Sequence, residues 1–406
     1  MTVRVNKQPF NIREKLSELE RPIGVKGNEL MRAETAQDAR DFVSAGRKNM
    51  IINGDMRIDQ RYNGSPRDIA DSTDEYVVDR FIFREQTSTS VRIQRNSGTA
   101  STDPPGFKYA VKWSCLGNDT SIATTEYARI QHYIETNNLK CDWGVKNTDY
   151  LTLSFWVKSD VPGKYYVNLE DGDASPIYLK PYYINQADTW QKVELTYPPP
   201  PSGGWTASTD NGIGMRITWA LTIGSTYVDS NLEEGWTTSY KMAGPGQVNL
   251  VGGTGNAFWM TGVQLEVGKN ATEFEHRSYG EELALCQRYY QVIQSGWWAT
   301  RSATGTVYSN AGLDGSTITL PVAMRAIPTA RGYGTSNTTI TSSGYNSSYA
   351  TVSSNYELYV QRQYSTVSGI VICNLGYNQA NNGNSNLPTS IVMLNTAEAT
   401  EFDAEL

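Results

Sequence analysis

After the first 48 residues the chain is dominated by alternation of apolar and polar positions. Phe107, Tyr109, Val111 and Trp113 alternate with Lys108, Ala110 and Lys112. Leu151, Leu153, Phe155 and Val157 alternate with Thr152, Ser154, Trp156 and Lys158. Met215, Ile217, Trp219, Leu221 and Ile223 repeat the pattern, as do Trp259, Thr261, Val263, Leu265 and Val267. A two-residue period puts one face of a strand in a core and the other toward solvent. Many such strands, separated by Gly, Pro, Asn and Asp, predict one antiparallel β-sandwich. Pro198, Pro199, Pro200 and Pro201 cannot sit in a central strand and predict a surface loop or edge.

The clearest helical patterning lies at the start of the chain. Asn11 with Glu14 forms a capping box, and Ile12, Leu16 and Leu19 recur on one face until Pro22. A second short helix runs from Thr35 through Ala36, Ala39, Phe42 and Val43, with Gly46 as its stop. Two such helices bury too little to fold alone. Residues 1–48 are therefore expected to be a helical attachment segment, docking through Ile12, Leu16, Leu19, Phe42 and Val43. A free terminal tail is the plainer alternative.

The end of the chain changes composition. A short helix is predicted over 281–288, with Leu283 and Cys286 as its apolar stripe, and a strand follows over 289–293. Lys269 is the last lysine, and beyond residue 288 the basic residues are Arg301, Arg325, Arg331 and Arg362. Runs such as Tyr356, Leu358 and Val360, or Ile370 and Ile372, read as β again, and their β-branched and aromatic content argues against disorder. The predicted fold is mainly β, in three parts: the helical segment 1–48, a sandwich over 49–280, and a smaller C-terminal β-domain over 281–406.

At 406 residues the chain exceeds what one core supports. A net charge of −7 makes nucleic acid an unexpected partner. No apolar run is long enough to span a membrane, and the N-terminus lacks the apolar core of a secretory signal. Cys115, Cys141, Cys286 and Cys373 are widely spaced, which predicts free buried thiols rather than zinc or a disulfide framework.

Catalysis is hard to build from these residues. There are only two histidines, His132 and His276. His132 alternates with Ile130 and Ile134 and is expected to be packed and hydrogen-bonded. His276, with Glu273 and Glu275, lacks a recognisable metal spacing. The run Glu170, Asp171, Gly172, Asp173 departs from a calcium loop and reads as a solvated turn. Sugar binding has a mechanism, because a flat aromatic face suits the C–H face of a pyranose while Asn, Ser, Thr and Asp bond its hydroxyls. Trp297, Trp298, Tyr333, Tyr345, Tyr349 and Tyr377 lie in or beside polar, glycine-containing stretches and are the candidate ligand residues. The alternative for each ring is core or subunit packing, and interfaces likewise deplete lysine.

Several phrases occur in order over residues 47–290: GRKN, INGDMRI–QR, YVVDRF, FWVKSD, GVQLEVG and EHRSYGEELALCQRYY. Together they resemble the jelly-roll β-sandwich of bacteriophage tail-fibre and related virion proteins, which is similar to carbohydrate-binding modules attached to glycoside hydrolases. The resemblance implies that 49–61 and 258–290 hold the first and last strands. It implies a structural calcium nearby, with Asn53, Asp55 and Glu266 as the nearest ligands, and no other cofactor. It also implies a virion subunit assembled in a bacterial host cytoplasm, homotrimeric, and attached to other virion proteins by its N-terminus. The expected partner of its C-terminal β-domain is a host surface polysaccharide or lipopolysaccharide. The alternatives are a purely structural virion protein (capsid decoration, fibre or tail adaptor) and a polysaccharide depolymerase; an enzyme is not expected.

Overall fold

A computed structural model describes residues 47–70, 73–97, 104, 106–206, 211–293, 298–300, 313–326, 328–332, 338–341, 350–352, 356–360, 370–377, 390–394 and 400–406. The chain divides into two compact units, Met1–Lys48 and Asn49–Leu406. The attachment residues Ile12, Leu16, Leu19, Phe42 and Val43 lie outside the described residues.

The second unit is an antiparallel β-sandwich. Its strands are β1 (Arg67–Ile69), β2 (Thr73–Val78), β3 (Phe81–Gln86), β4 (Val91–Ser97), β5 (Tyr109–Cys115), β6 (Tyr127–Glu135), β7 (Leu151–Ser159), β8 (Gly163–Asp171), β9 (Ile177–Ile184), β10 (Gln191–Tyr197), β11 (Ile213–Ile223), β12 (Gly235–Thr237) and β13 (Ala257–Val267). One sheet has the order β1-β4-β5-β13-β7-β10, and the other β12-β9-β8-β11-β6-β3-β2. The predicted alternation supplies the core between them. Leu153, Phe155, Val157 and Met260 come from the first sheet, and Phe83, Ile130, Leu169, Ile217 and Trp219 from the second. Burial of each large apolar side chain contributes about 1.5–3 kcal/mol. The four prolines follow β10 outside any strand, as expected.

The last strand departs from simple alternation. Its register on β7 shifts between Thr261 and Gln264, where Gly262 has φ +63°. A Cβ on Gly262 would lie 2.6 Å from the Phe107 ring. The extra residue of this bulge flips the faces. Phe258 and Met260 point into the core ahead of it and Val263 and Leu265 behind it, while Trp259 sits beneath Lys112 and Lys158 on the other face.

The segment 49–61, expected as the first strand, contains no strand. Its asparagines substitute for a ladder instead. Asn49 donates from Nδ2 to the Val263 carbonyl (3.1 Å), and its Oδ1 accepts from the amides of Ile51 (2.9 Å) and Leu265 (3.0 Å). Asn53 donates to the carbonyls of Ile58 (2.8 Å) and Asp79 (2.9 Å) and accepts from the Ile58 amide (2.9 Å). Gly54 allows the closest approach, since a Cβ there would meet the Val263 oxygen at 2.1 Å.

Beyond the sandwich, Ser278 caps helix α1 (Tyr279–Gln287), its hydroxyl accepting from the Glu281 amide. Cys286 is buried and Leu283 half-buried beside it. The later strands are β14 (Tyr290–Ile293), β15 (Trp298–Thr300), β16 (Leu313–Thr319), β17 (Thr329–Gly332), β18 (Thr338–Thr341), β19 (Ala350–Val352), β20 (Tyr356–Val360), β21 (Ile370–Tyr377), β22 (Ser390–Leu394) and β23 (Thr400–Asp403). They form the small sheets β14-β23-β17, β15-β22-β18-β19 and β16-β21-β20. The segment read as a domain of its own is joined to the sandwich at both ends: Tyr289 donates to Glu135 (2.8 Å), and Glu405 pairs with Arg80 and Arg61.

His132 is packed as predicted, 4.8 Å from the Phe81 ring, but neither ring nitrogen has a hydrogen-bond partner. Burial, reinforced by the Arg80 charge, holds its pKa well below the ordinary 6.5. The folded state therefore stays neutral while the unfolded state takes up a proton below pH 6.5, so stability falls as the solution is acidified. His132→Phe removes this contribution. Its stability relative to the parent should rise by about 1 kcal/mol from pH 6.5 to 5.5 and by about 1.4 kcal/mol for each further unit, read from denaturant melts.

Candidate functional site: the outer face of the seven-stranded sheet

The outward positions of the central strands carry large polar side chains, and most of them are buried. On β6 these are Arg129, Gln131, Tyr133 and Glu135; on β11, Arg216 and Thr218; on β8, Asn168 and Glu170; on β3, Arg84. Pairing places them side by side: Arg84 opposite Arg129, Gln131 opposite Thr218, and Arg216 between Tyr133 and Glu170.

Two structures cover the ends of this row. At one end Arg129 donates to the Tyr240 hydroxyl (2.7 Å) and contacts the Met242 sulfur (3.3 Å), while Asn168 donates to the Met242 carbonyl. There the outer face becomes a small apolar core of Tyr166, Ile177, Leu179, Ala220 and Ala243. At the other end Glu135 accepts from Arg288 (2.6 Å) and Tyr289 (2.8 Å). Between them Gln131 donates to Thr218 (2.7 Å) and accepts from Tyr133 (3.1 Å).

Glu170 stands out in this stretch. It is 1% exposed, and neither carboxylate oxygen has a hydrogen-bond partner. The Oδ1 of Asn168 and the Nε atoms of Arg84 and Arg129 are also buried without partners. Burial pushes the Glu170 carboxyl up; the Thr218 hydroxyl, near it but outside hydrogen-bond geometry, and the charges of Arg129, Arg216 and Arg84 oppose the shift. The exposed rim is cationic and aromatic. Arg84 reaches Asp74 at 3.2 Å, Arg216 lies 5.8 Å from the Tyr133 ring centre, and Tyr240 is 40% exposed. Tyr240 packs edge-on against Tyr227 (5.9 Å), which packs against Tyr127 (5.7 Å), whose other contact is Arg129 at 4.5 Å.

Because the folded Glu170 pKa lies above its ordinary 4.5, this group costs stability as pH rises above 4.5. Glu170→Gln should therefore be more stable than the parent at pH 7, with the gain disappearing toward pH 4. Denaturant melts across that range check the sign. A variant less stable than the parent at pH 7 would mean that the carboxylate is satisfied by its arginines.

Trp297, Tyr333, Tyr345 and Tyr349 lie outside the described residues, while Trp298 begins β15 and Tyr377 ends β21. The proposed calcium ligands are each committed to separate partners. Asn53 is bonded as above, Asp55 pairs with Arg57 through Oδ2 while its Oδ1 is buried without a partner, and Glu266 accepts from Gln264 (2.9 Å) and from the amide (2.9 Å) and hydroxyl (2.7 Å) of Thr272. Among the described residues no three His, Cys, Asp or Glu side chains form a group that could hold a metal ion. His276 packs its ring on Phe274 (4.9 Å) and Phe107 (5.6 Å) and lies outside any strand. The run 170–173 is not a solvated turn throughout, because Glu170 and Asp171 end β8 and are buried.

No family model matches the chain, and no curated protein matches it. Among solved structures it is similar to the enzymatically active domain of tailspike protein 4 from bacteriophage CBA120, at 11% identity and a TM-score of 0.28. That match covers 54% of this chain and 21% of the tailspike chain, so this chain spans about a fifth of its length. A family 61 carbohydrate-binding module in complex with β-1,4-galactotriose matches at 11% identity and a TM-score of 0.26, over 55% of this chain and all of the module. A family 11 module of a Clostridium thermocellum cellulase matches at 12% identity and a TM-score of 0.24, over 50% of this chain and all of the module.

Proposed function

We propose that this chain is a glycan-binding subunit of a bacteriophage particle, with the sugar seated on the outer face of the seven-stranded sheet. The observation that carries the reading is Glu170: a buried carboxylate with neither oxygen partnered, beside three arginines, a glutamine and a tyrosine rim. Unpaired buried polar groups are costly, so a cluster of them facing outward is explained by a ligand that supplies the missing bonds. Sugar hydroxyls both donate and accept, matching a set that offers guanidinium donors and amide and carboxyl acceptors. Tyr240 offers an exposed ring for the apolar face of a pyranose.

The virion setting rests on the phrases that resemble tail-fibre jelly rolls, and with it go attachment through residues 1–48, a homotrimer, and a host surface polysaccharide as partner. The role is binding rather than hydrolysis.

A glycan array probed with the whole protein and with Tyr240→Ala tests the reading. Saturable binding should appear, and the variant should weaken it about tenfold, in keeping with the loss of one stacking ring. Silence across polysaccharides of bacterial surfaces would favour a purely structural virion protein, and release of reducing ends would favour a depolymerase.

A further inference from the structure

We infer that the sugar taken by this face is anionic: a glycan residue bearing a carboxylate or phosphate, held by Arg216 and Arg84 at the mouth of the cluster. The inference rests on the reading of the face as a glycan site and goes beyond it in naming the ligand class. Arg84 and Arg129 are paired across β3 and β6, and Arg216 lies opposite Glu170, two side-chain rows further along the same face. Their local partners leave a cationic excess. Arg84 has Asp74, and Arg129 spends its donors on the neutral Tyr240 hydroxyl and Met242 sulfur. For Arg216 the described residues offer the Tyr133 ring and no hydrogen-bonding acceptor. Arg216 is half-buried on the middle strand of the row, directly across from both Tyr133 and Glu170.

A guanidinium presents its donors as a planar fork that matches a carboxylate or phosphate bidentately. An unspent fork fits a monoanionic substituent better than a neutral hydroxyl. Glu170 lies beneath and accepts from a hydroxyl on the same sugar ring. The acidic character of the whole chain, net −7, makes this basic spot a local feature rather than part of a general field.

The test uses the full-length protein and an array holding uronate-containing and phosphate-substituted bacterial polysaccharides, each beside its carboxyl-reduced or dephosphorylated counterpart. Binding should go to the acidic members and fall at least tenfold on their neutralised counterparts. Arg216→Gln should weaken the acidic interaction by on the order of tenfold to a hundredfold, while Arg216→Lys, which keeps the charge and loses the fork, falls between. Arg92→Gln, on the other sheet and paired with Asp68, should bind as the parent does. Binding should also weaken as salt rises from 50 to 300 mM. Loss on carboxyl reduction identifies a uronate, and loss on dephosphorylation a phosphate. If Arg216→Gln fails to fold, judged by its melting transition, Arg84→Gln and the paired neutral glycans still decide. Equal binding to acidic and neutral partners would overturn the anionic ligand while leaving a glycan site. Binding to no glycan at all would remove the glycan reading itself.

Discussion

Replacing Arg277 with Met should cost about 3–5 kcal/mol, among the largest losses available in this fold. The side chain is 4% exposed and ties the segment 49–51 and Glu275 to helix α1. It donates to the carbonyls of Asn49 and Ile51 (3.0 Å), to Glu275 (2.9 Å) and to Glu282 (3.3 Å). Glu282 in turn accepts from the Asn53 amide. Burial pushes the Glu282 carboxyl up, and Arg277 is the strongest influence opposing it. Without the guanidinium a buried carboxylate and two carbonyls lose their donor together, and the irregular segment 49–58 loses its clasp on α1. Urea melts should show a lower midpoint at an unchanged slope, and Arg277→Met with Glu282→Gln should recover part of the loss. A loss below 1 kcal/mol for the single variant would mean that the asparagine bonds alone hold this closure.

Glu405→Ala should cost a similar amount, although it lies at the far end of the chain. Glu405 neutralises two interior arginines. Arg80 is 1% exposed, pairs with Glu405, donates to the Tyr133 carbonyl (2.6 Å) and lies 3.5 Å from the Tyr289 ring. Arg61 reaches Glu405 (3.4 Å), Asp403 (3.3 Å) and Asp79 (3.8 Å) and lies 3.5 Å from the Tyr290 ring. Removing the carboxylate leaves Arg80 as a buried charge with no other ion-pair partner among the described residues, the situation that costs about 3–5 kcal/mol. A double-mutant cycle with Arg80→Met should give a coupling of about 2–3 kcal/mol. Additive single effects would show that the C-terminus is an appendage. The same contacts mean that deleting 289–406 would damage the sandwich along with any distal surface, so adsorption lost in such a truncation would not locate a receptor site.

The alternating runs made the sandwich legible in the sequence, because period two with large apolar residues has few other solutions. The helix at 281–288 was legible too, and Ser278 before it is a good cap. Two features were hidden for physical reasons. The bulge at Gly262 inverts the alternation of β13, and a glycine within a strand pattern is its only local trace. The closure at 49–61 copies a ladder with asparagine side chains, which no periodicity reports. The candidate site was half legible. The words YARIQHYIE and MRITWA show arginine, glutamine and tyrosine on the polar side of strands, and VNLED adds Glu170. What no spacing reveals is that β8, β11, β6 and β3 are neighbours, which brings residues 84, 129, 170 and 216 into one patch. With Glu170 read as part of a turn, the patch lost its centre.

The most direct measurement of the central claim is arginine labelling with a dicarbonyl reagent, read peptide by peptide with and without the best glycan from the array. The account predicts glycan-dependent protection at Arg84 and Arg216 and unchanged labelling of Arg92 and Arg67 on the other sheet. Protection confined to arginines beyond residue 288, or unchanged labelling at Arg84 and Arg216 under saturating glycan, would contradict it.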